Sequence, residues 1–455
     1  MSASCRCGPP CIDLDRLMEK LPVALRRYLS RHIEDDLPSA GSTERWQNVL
    51  VIPAYRESAA LVQRLKAVPP GHGRTVIIVV LNRPAADKNP AANDPLRQAL
   101  LSLPPAQPSG DLAALRQVND TTDLYLHDME QSGGTTETDK GVGLARKTGC
   151  DIALTWQAQG ALSTHWLHCT DADAILPADY FEQTRALNKE AVAAVYPFTH
   201  LASSDERCTV ATALYELRMH HYVLGLRYAG SPYAHHSLGS CIAVKTLAYA
   251  QVRGFPPRAA GEDFYLLGKL AKIGPVNNTR GQPISIESRL SDRVPFGTGP
   301  ATARIAGSDT PLGEALFYHP HCFEALRALI GAMPSLQDTA SRNFDLGNLL
   351  EGHGLPPTLA QHSARVLKEA GIDRALSHCQ RQSRSTAAFT RHFNQWFDAL
   401  RTLRFIHGLR NAGWEDQTLA ALELISPRFI GLQDEHSWDL THLREACVRQ
   451  LAQNC

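Results

Sequence analysis

The sequence predicts an α/β protein with a mostly parallel sheet flanked by helices, followed by an all-helical C-terminal region. Two runs rich in β-branched residues, at 48–53 and 75–81, predict strands that are covered on both faces, as in a parallel sheet. A polar loop and a helix-like segment that ends near residue 65 separate the two runs, as in a strand–helix–strand unit. After Pro311 the strand-like patterns stop, and Gly and Pro separate segments that all have helical character.

The remaining elements follow from the same patterns. Strands are predicted at 123–127, 166–170 and 191–197, helices at 14–33, 140–154 and 209–229, and a loop followed by a helix at 261–274. Residues 83–110 are rich in Pro, Ala and Asn and indicate an inserted loop with a short helix near 95–101. We therefore expect an N-terminal helical segment (1–45), a sheet domain (46–310) and a helical region (311–455).

Composition excludes several classes of protein. The 46 basic residues balance the 46 acidic ones, so no overall charge favours nucleic acid or an anionic membrane. The apolar run at 76–81 is too short to cross a bilayer, and the N-terminus lacks the order of a secretory signal, so we expect a cytoplasmic protein without a transmembrane segment. Cys5, Cys7 and Cys11 lack a fourth ligand at zinc-finger spacing, which favours a disordered terminus over a zinc site.

Two pairs of carboxylates are the strongest functional signal. Asp171 and Asp173 end a predicted strand, where residues two apart point the same way and can face one hard cation such as Mg²⁺ or Mn²⁺. Glu262 and Asp263 begin a predicted helix, where Asp263 could act as a general base. A solvated turn for the first pair and ordinary helix-start chemistry for the second are the alternatives.

Further polar residues follow other predicted strands. Ligands of open parallel sheets bind beyond the carboxyl ends of the strands, and residues 54–57, Asn82 and the Asp171–Asp173 pair all fall at such ends. Lys140-Gly141-Val142-Gly143 begins a helix whose amides, with Arg146, could receive phosphate oxygens. Because Arg146 stands where a dinucleotide fingerprint has its third glycine, the pattern disfavours an NAD-binding site.

A series of motifs carries a family resemblance. In chain order the series is Val51-Ile52-Pro53-Ala54-Tyr55-Arg56-Glu57, Gly141-Val142-Gly143-Leu144-Ala145-Arg146, Asp171-Ala172-Asp173, Gly239-Ser240, Arg253-Gly254-Phe255 and Gly261-Glu262-Asp263-Phe264. This ordered set resembles family 2 glycosyltransferases with the GT-A fold and covers roughly residues 46–300. The resemblance implies a nucleotide-sugar donor, an acceptor hydroxyl, an Mg²⁺ or Mn²⁺ ion and inversion at the anomeric carbon.

The resemblance also implies roles for single residues. Those expected to bind the nucleotide sugar are Pro53, Tyr55, Glu57, Asn82, Arg146 and Asp171. Asp171 and Asp173 would bind the metal, Gly239 and Ser240 would line the acceptor side, and Asp263 would take the hydroxyl proton with Glu262 orienting it. Asn82 departs from the family, which often has an acidic residue at this position that contacts the nucleobase. The sequence therefore leaves open which nucleobase the donor carries. The lack of transmembrane helices argues against a processive synthase.

A third metal ligand is not defined by the pattern. Asp292 or a neighbouring arginine, His319 and His321 are candidates, with an ordinary polar loop as the alternative. We assign His220-His221 to a helix surface and His235-His236 to a loop. Two other functions stay open: a sugar nucleotidyltransferase, disfavoured because residues 54–57 are not a glycine- and lysine-rich loop, and a catalytically silent binding or scaffold protein.

Overall fold

The computed structural model describes residues 20–41, 43–106, 112–132, 134–291, 293, 297–337, 344–425 and 440–453. The chain forms two compact units. The first contains Met1–Ala194 and Gly239–Leu266, and the second contains Val195–Leu238 and Leu267–Cys455. The predicted domain boundaries stay a prediction.

A twisted sheet forms the first unit. Its strands, numbered in chain order, are β1 (Asn48–Ala54), β2 (Thr75–Leu81), β3 (Leu115–Asn119), β4 (Thr122–Asp128), β5 (Trp166–Cys169), β6 (Ala174–Ile175), β7 (Ala193–Val195) and β9 (Ile242–Lys245). They follow one another in the order β7-β9-β5-β1-β2-β4-β3, with β6 outside this order. Strands β5, β1, β2 and β4 run parallel, whereas β9 and β3 run antiparallel to β5 and β4.

Helices cover this sheet. They are α1 (Val23–Arg31), α2 (Leu61–Lys66), α3 (Asp94–Leu101), α4 (Met129–Ser132), α5 (Gly141–Gln159), α6 (Tyr180–Arg185), α8 (Thr246–Gln251) and α9 (Glu262–Leu270), the last continuing into the second unit. Every residue of β1 and β2 is buried, which explains their unbroken apolar runs. Helix α5 lies close against β1 because Gly149 has no side chain; a Cβ there would stand 2.4 Å from Val51 Cγ1.

The N-terminal helix is fixed by a buried carboxylate. Tyr28 on α1 donates its hydroxyl to Asp151 Oδ1 (2.6 Å), and Lys147 Nζ lies 2.6 Å from Asp151 Oδ2. Lys147 also donates to the carbonyl of His32 (2.7 Å). Burial raises the pKa of Asp151 to about 6, although Lys147 and Tyr28 act in the opposite direction. This network attaches α1 to α5.

The second unit is mainly helical. Its helices are α7 (Glu206–Tyr228), α10 (Thr298–Ala306), α11 (Pro320–Gly331), α12 (Met333–Gln337), α13 (Leu346–Gly352), α14 (Pro357–Glu369), α15 (Ile372–Gln382), α16 (Thr386–Trp396), α17 (Ala399–Asn411), α18 (Leu419–Ile425) and α19 (Leu440–Gln453). Its strands are β8 (Phe198–His200), β10 (Val276–Asn278) and β11 (Ile284–Ile286), and β8 pairs in parallel with β11. One apolar cluster, with Leu217, Phe323 and Leu376 among its members, forms the core of this unit.

The predicted fold class is confirmed: a mostly parallel sheet is flanked by helices and followed by a helical C-terminal region. The strand predicted at 191–197 is instead two short strands, β7 and β8, interrupted at Pro197. The short strands β3, β6, β10 and β11 were not predicted. Among the described residues, no helix is long and apolar enough to cross a membrane.

The assignment of His220 and His221 to a helix surface is wrong, whereas His235 and His236 lie in a loop as predicted. His220, His221, His235 and His236 are all buried, with at most 6% of their surface exposed. His220 Nδ1 lies 3.1 Å from His236 Nε2, and His220 Nε2 lies 3.5 Å from Glu216 Oε1. Contacts of His220 with Glu216 and His236 replace the water that a surface assignment implies. The three N-terminal cysteines lie outside the described residues.

Candidate active site

The carboxyl edge of the sheet gathers the predicted polar residues of the first unit. Strand β5 ends at Cys169, and Thr170, Asp171 and Asp173 follow it directly. Strands β1 and β2 end at the same edge, at Ala54 and Leu81, which are paired in register. Helix α9 begins with the second carboxylate pair, directly after a glycine with φ 71°.

Arg146 joins the two carboxylate pairs. Its side chain projects from α5 and is only 3% exposed. Nε donates to Glu262 Oε1 at 2.7 Å, Nη2 forms an ion pair with Asp171, and Nη1 donates to the Gly239 carbonyl at 3.0 Å. Burial by itself would lower the pKa of Arg146, but the charges of Asp171 and Glu262 raise it well above its usual range. A permanent buried cation therefore holds the two acidic segments together.

The predicted acceptor residues lie against this cation. A Cβ at Gly239 would stand 2.2 Å from Arg146 Nη2, so a side chain at this position would displace the guanidinium. At the next residue, Thr170 Oγ1 donates a hydrogen bond to the backbone carbonyl of Ser240 (3.0 Å). The Gly239-Ser240 segment thus fixes both Arg146 and the end of β5.

The pKa of the Asp263 carboxyl group is raised toward neutral pH. Asp263 is partly buried, and its Oδ1 accepts the backbone N–H of Phe264 at 2.6 Å. Burial and the neighbouring charge of Glu262 raise the pKa of Asp263 to about 7, against the lowering effect of Arg146. A carboxylate with this pKa is half ionised at neutral pH and can accept a proton from a bound hydroxyl.

The Asp171–Asp173 pair supplies the oxygen ligands that a hard cation needs. Asp171 is 34% exposed and uses one oxygen for Arg146, and Asp173 is partly buried. In the part of the chain that the structure describes, no group of three His, Cys, Asp or Glu residues is arranged to hold a metal. Two carboxylates completed by diphosphate oxygens and water match the way Mg²⁺ is usually bound. The residues present therefore fit a metal shared with a substrate.

The glycines in the first turn of α5 have a packing role. The amide of Gly143 donates to the Arg258 carbonyl (2.9 Å), and a Cβ on Gly143 would stand 2.5 Å from the backbone of Arg258. Lys140 is paired with Glu137 at 2.7 Å. The Gly143 amide, which the sequence analysis assigned to phosphate binding, and the Lys140 side chain are thus already bonded within the protein.

The residues predicted to border the nucleoside lie at the ends of β1 and β2. Pro53 is buried within β1, and Tyr55 donates its hydroxyl to Asp87 Oδ2 at 2.6 Å. Glu57 is partly buried. Asn82 is buried, and its backbone N–H donates to the Ala54 carbonyl (3.1 Å). These side chains therefore line one stretch of the carboxyl edge.

Asn93, which the sequence analysis missed, organises this stretch. Its Oδ1 accepts the amide of Arg56, a residue held at φ 55° in the left-handed region. Its Nδ2 donates to the Asn82 carbonyl (3.0 Å) and to Glu130 Oε2 (2.9 Å). Glu130 in turn pairs with Arg97 at 2.8 Å. The only sequence signal was an Asn just before the Asp-Pro start of α3, which reads as an ordinary helix start.

The other metal-ligand candidates belong to the second unit or are not described. Asp292 lies outside the described residues. His319 and His321 belong to the second unit, where their rings lie 5.3 and 5.0 Å from that of Trp414. Aromatic packing at the start of α11 accounts for both.

Comparison with known proteins gives structural similarity only. No protein-family model matches the chain, and no curated protein sequence does. TarS from S. aureus in complex with UDP-GlcNAc is 10% identical, with a TM-score of 0.38 over 81% of this chain and 92% of that one. The mannosyltransferase PcManGT from Pyrobaculum calidifontis, in complex with GDP-Man and Mn²⁺, is 16% identical, with a TM-score of 0.35 over 89% and 98%. Scores this low carry no conclusion about the activity of this chain, which is inferred from its own residues.

Proposed function

We propose that the protein is a metal-dependent, inverting glycosyltransferase, which transfers a sugar from a nucleotide-sugar donor to the hydroxyl of an acceptor. The observation that carries this proposal is the placement of Arg146 between Asp171 and Glu262. It brings a pair of carboxylates suited to a metal and diphosphate next to a carboxylate suited to a base. This arrangement supports a sugar-transfer site at the carboxyl edge of the sheet.

The reaction follows from the positions of these groups. The acceptor oxygen attacks the anomeric carbon while Asp263 takes the hydroxyl proton. A bond forms between that oxygen and the sugar, the bond to the diphosphate breaks, and its electron pair leaves with the phosphate oxygen. A single displacement of this kind inverts the anomeric centre. Burial, together with the negative charge of Glu262 held by Arg146, keeps the pKa of Asp263 near 7.

The metal would be held by Asp171 and Asp173. An Mg²⁺ or Mn²⁺ ion, when bound, neutralises the charge that develops on a leaving diphosphate. Arg146 contributes by fixing Asp171, so that only its second oxygen remains for the ion. Tyr55, Glu57 and Asn82 lie at the ends of β1 and β2, where a nucleoside would extend from the diphosphate.

Calorimetric titration tests the proposal. UDP and GDP should bind the wild type at least tenfold more tightly with Mn²⁺ than without it, and Asp171→Asn or Asp173→Asn should remove this difference. Asp120→Asn, at an exposed position on the same unit, is the matched control and should behave as the wild type. Equal affinity with and without Mn²⁺ in the wild type would refute the role of the metal.

Turnover separates the proposal from the silent binding protein. The wild type should slowly hydrolyse UDP- or GDP-sugars without an acceptor, since water can replace the hydroxyl. Binding without any hydrolysis or transfer, across a panel of donor sugars, would favour the non-catalytic alternative.

A further inference from the structure

A cavity of about 240 Å³ lies in the first unit beside Asp171. It is bounded by β1, α2 and the segment that follows β5, and it is partly open to solvent. Leu50 and Ile52 of β1 form one wall, and Leu61 and Leu65 of α2 form another.

The chemistry of the lining restricts the occupant. The apolar residues that line the cavity are Leu, Ile, Val and Ala, and none of the described lining residues is aromatic. A nucleobase or a sugar ring is usually bound on aromatic faces, which these walls lack. Gln63, Arg64, Thr170 and Asp171 are the polar lining residues, whereas the walls formed by Leu50, Ile52, Leu61 and Leu65 are wholly aliphatic. The lining suits a flexible aliphatic chain.

Polar groups occur where the cavity meets the site. Thr170 and Asp171 line it there, and Arg64 Nη1 donates to the Ala172 carbonyl (2.5 Å), which fixes its guanidinium beside the same turn. Ile175, also a lining residue, is 44% exposed and marks an opening to solvent. Because Asp171 is joined to Glu262 through Arg146, a ligand in the cavity would have its polar end next to the acidic cluster.

We propose that this cavity binds an aliphatic chain carried by the acceptor, so that the acceptor is an amphiphile rather than a free sugar. The inference rests on the proposed function, because Asp171 is where the chain of the acceptor would meet the donor. It adds a substrate class that the carboxylates themselves do not specify. Asp263 receives the proton, and the cavity holds the apolar part of the molecule.

Binding of 1-alkanols from butanol to octanol tests the cavity directly. Each added methylene should tighten binding roughly fourfold until the cavity is filled. Ala174→Leu, which places a larger side chain in the lining, should weaken the longer alkanols at least tenfold. Ala59→Leu, at an exposed position near α2, is the matched control and should bind as the wild type.

A second variant keeps the test valid if Ala174→Leu does not fold. Leu65→Ala enlarges the cavity and should move the plateau of the series to a longer alkanol. Affinities that do not rise with chain length in the wild type, or that are equal in the wild type and a folded Ala174→Leu variant, would overturn the proposal. So would an unchanged plateau in Leu65→Ala.

Donor turnover connects the cavity to the reaction and keeps the two proposals distinguishable. With a UDP- or GDP-sugar, an octyl glycoside should raise donor consumption above the methyl glycoside of the same sugar, and Ala174→Leu should remove this advantage while it retains donor hydrolysis. Equal rates with both glycosides would contradict the inference alone. Failure of the wild type to consume any donor would contradict the proposed function, and the alkanol series would still decide whether the cavity binds aliphatic chains.

Discussion

Replacement of Arg146 by Met removes the cation between the acidic segments and keeps a side chain of similar length. The Glu262 side chain, 4% exposed, then loses its partner, whereas Asp171 at 34% exposure can be hydrated. A hydrogen bond to a charged group contributes about 1.5–3 kcal/mol, and breaking a buried ion pair costs about 3–5 kcal/mol. We expect Arg146→Met to lower the free energy of unfolding of the first unit by about 3–5 kcal/mol.

A double variant shows whether charge is the cause. Arg146→Met with Glu262→Leu leaves no uncompensated charge at the most buried position, so most of the lost stability should return. Activity should not return, because neither Asp171 nor Asp263 keeps its electrostatic partner. The assay is urea unfolding followed by tryptophan fluorescence, at pH 7.5. An Arg146→Met variant as stable as the wild type, or a double variant no more stable than the single one, would refute this account of Arg146.

Three other variants test neighbouring parts of the account. Because the pKa of Asp263 is raised to about 7, the folded protein keeps a proton between pH 4 and 7 that the unfolded chain releases, so stability falls as the pH rises through this range. Asp263→Asn should therefore raise the free energy of unfolding by up to about 4 kcal/mol at pH 8 and change it little at pH 4. Calorimetric melts at both pH values test this prediction. Gly239→Ala should displace Arg146, lowering the melting temperature and nucleotide affinity together, whereas Gly352→Ala, which has open space for a Cβ, should do neither. Tyr28→Phe removes a hydrogen bond to the buried carboxylate of α5 and should cost about 1.5–3 kcal/mol in urea unfolding, and an unchanged midpoint would show that this bond is not stabilising.

Much of the sheet could be predicted because its central strands are buried on both faces. The runs at β1 and β2 contain only residues that tolerate such burial, and their ends locate the carboxyl edge. The short strands β3 and β6 could not be predicted, since few residues repeat in each and neighbours decide whether they pair. The same edge explains why most of the polar candidates lie together.

The partners within the site could not be predicted, because they are distant along the chain. Arg146 meets Asp171 and Glu262 across 25 and 116 residues, and a single sequence contains no signal for such pairings. From the sequence, Arg146 was therefore predicted to bind a phosphate, whereas in the structure it pairs with two carboxylates. The burial of His220 was missed for the same reason: Glu216, which lies beside it, is also paired with Arg444 at 2.8 Å across 228 residues.

The pH dependence and variant kinetics of sugar transfer test the central claim most directly. For the wild type, kcat/KM should rise about tenfold per pH unit up to about pH 7 and then level off, because Asp263 must be ionised. Asp263→Asn should bind nucleotide and Mn²⁺ as the wild type does, yet lose about 10²–10⁴-fold in kcat at pH 8. An Asp263→Asn variant with wild-type kcat and the same pH profile would contradict the account.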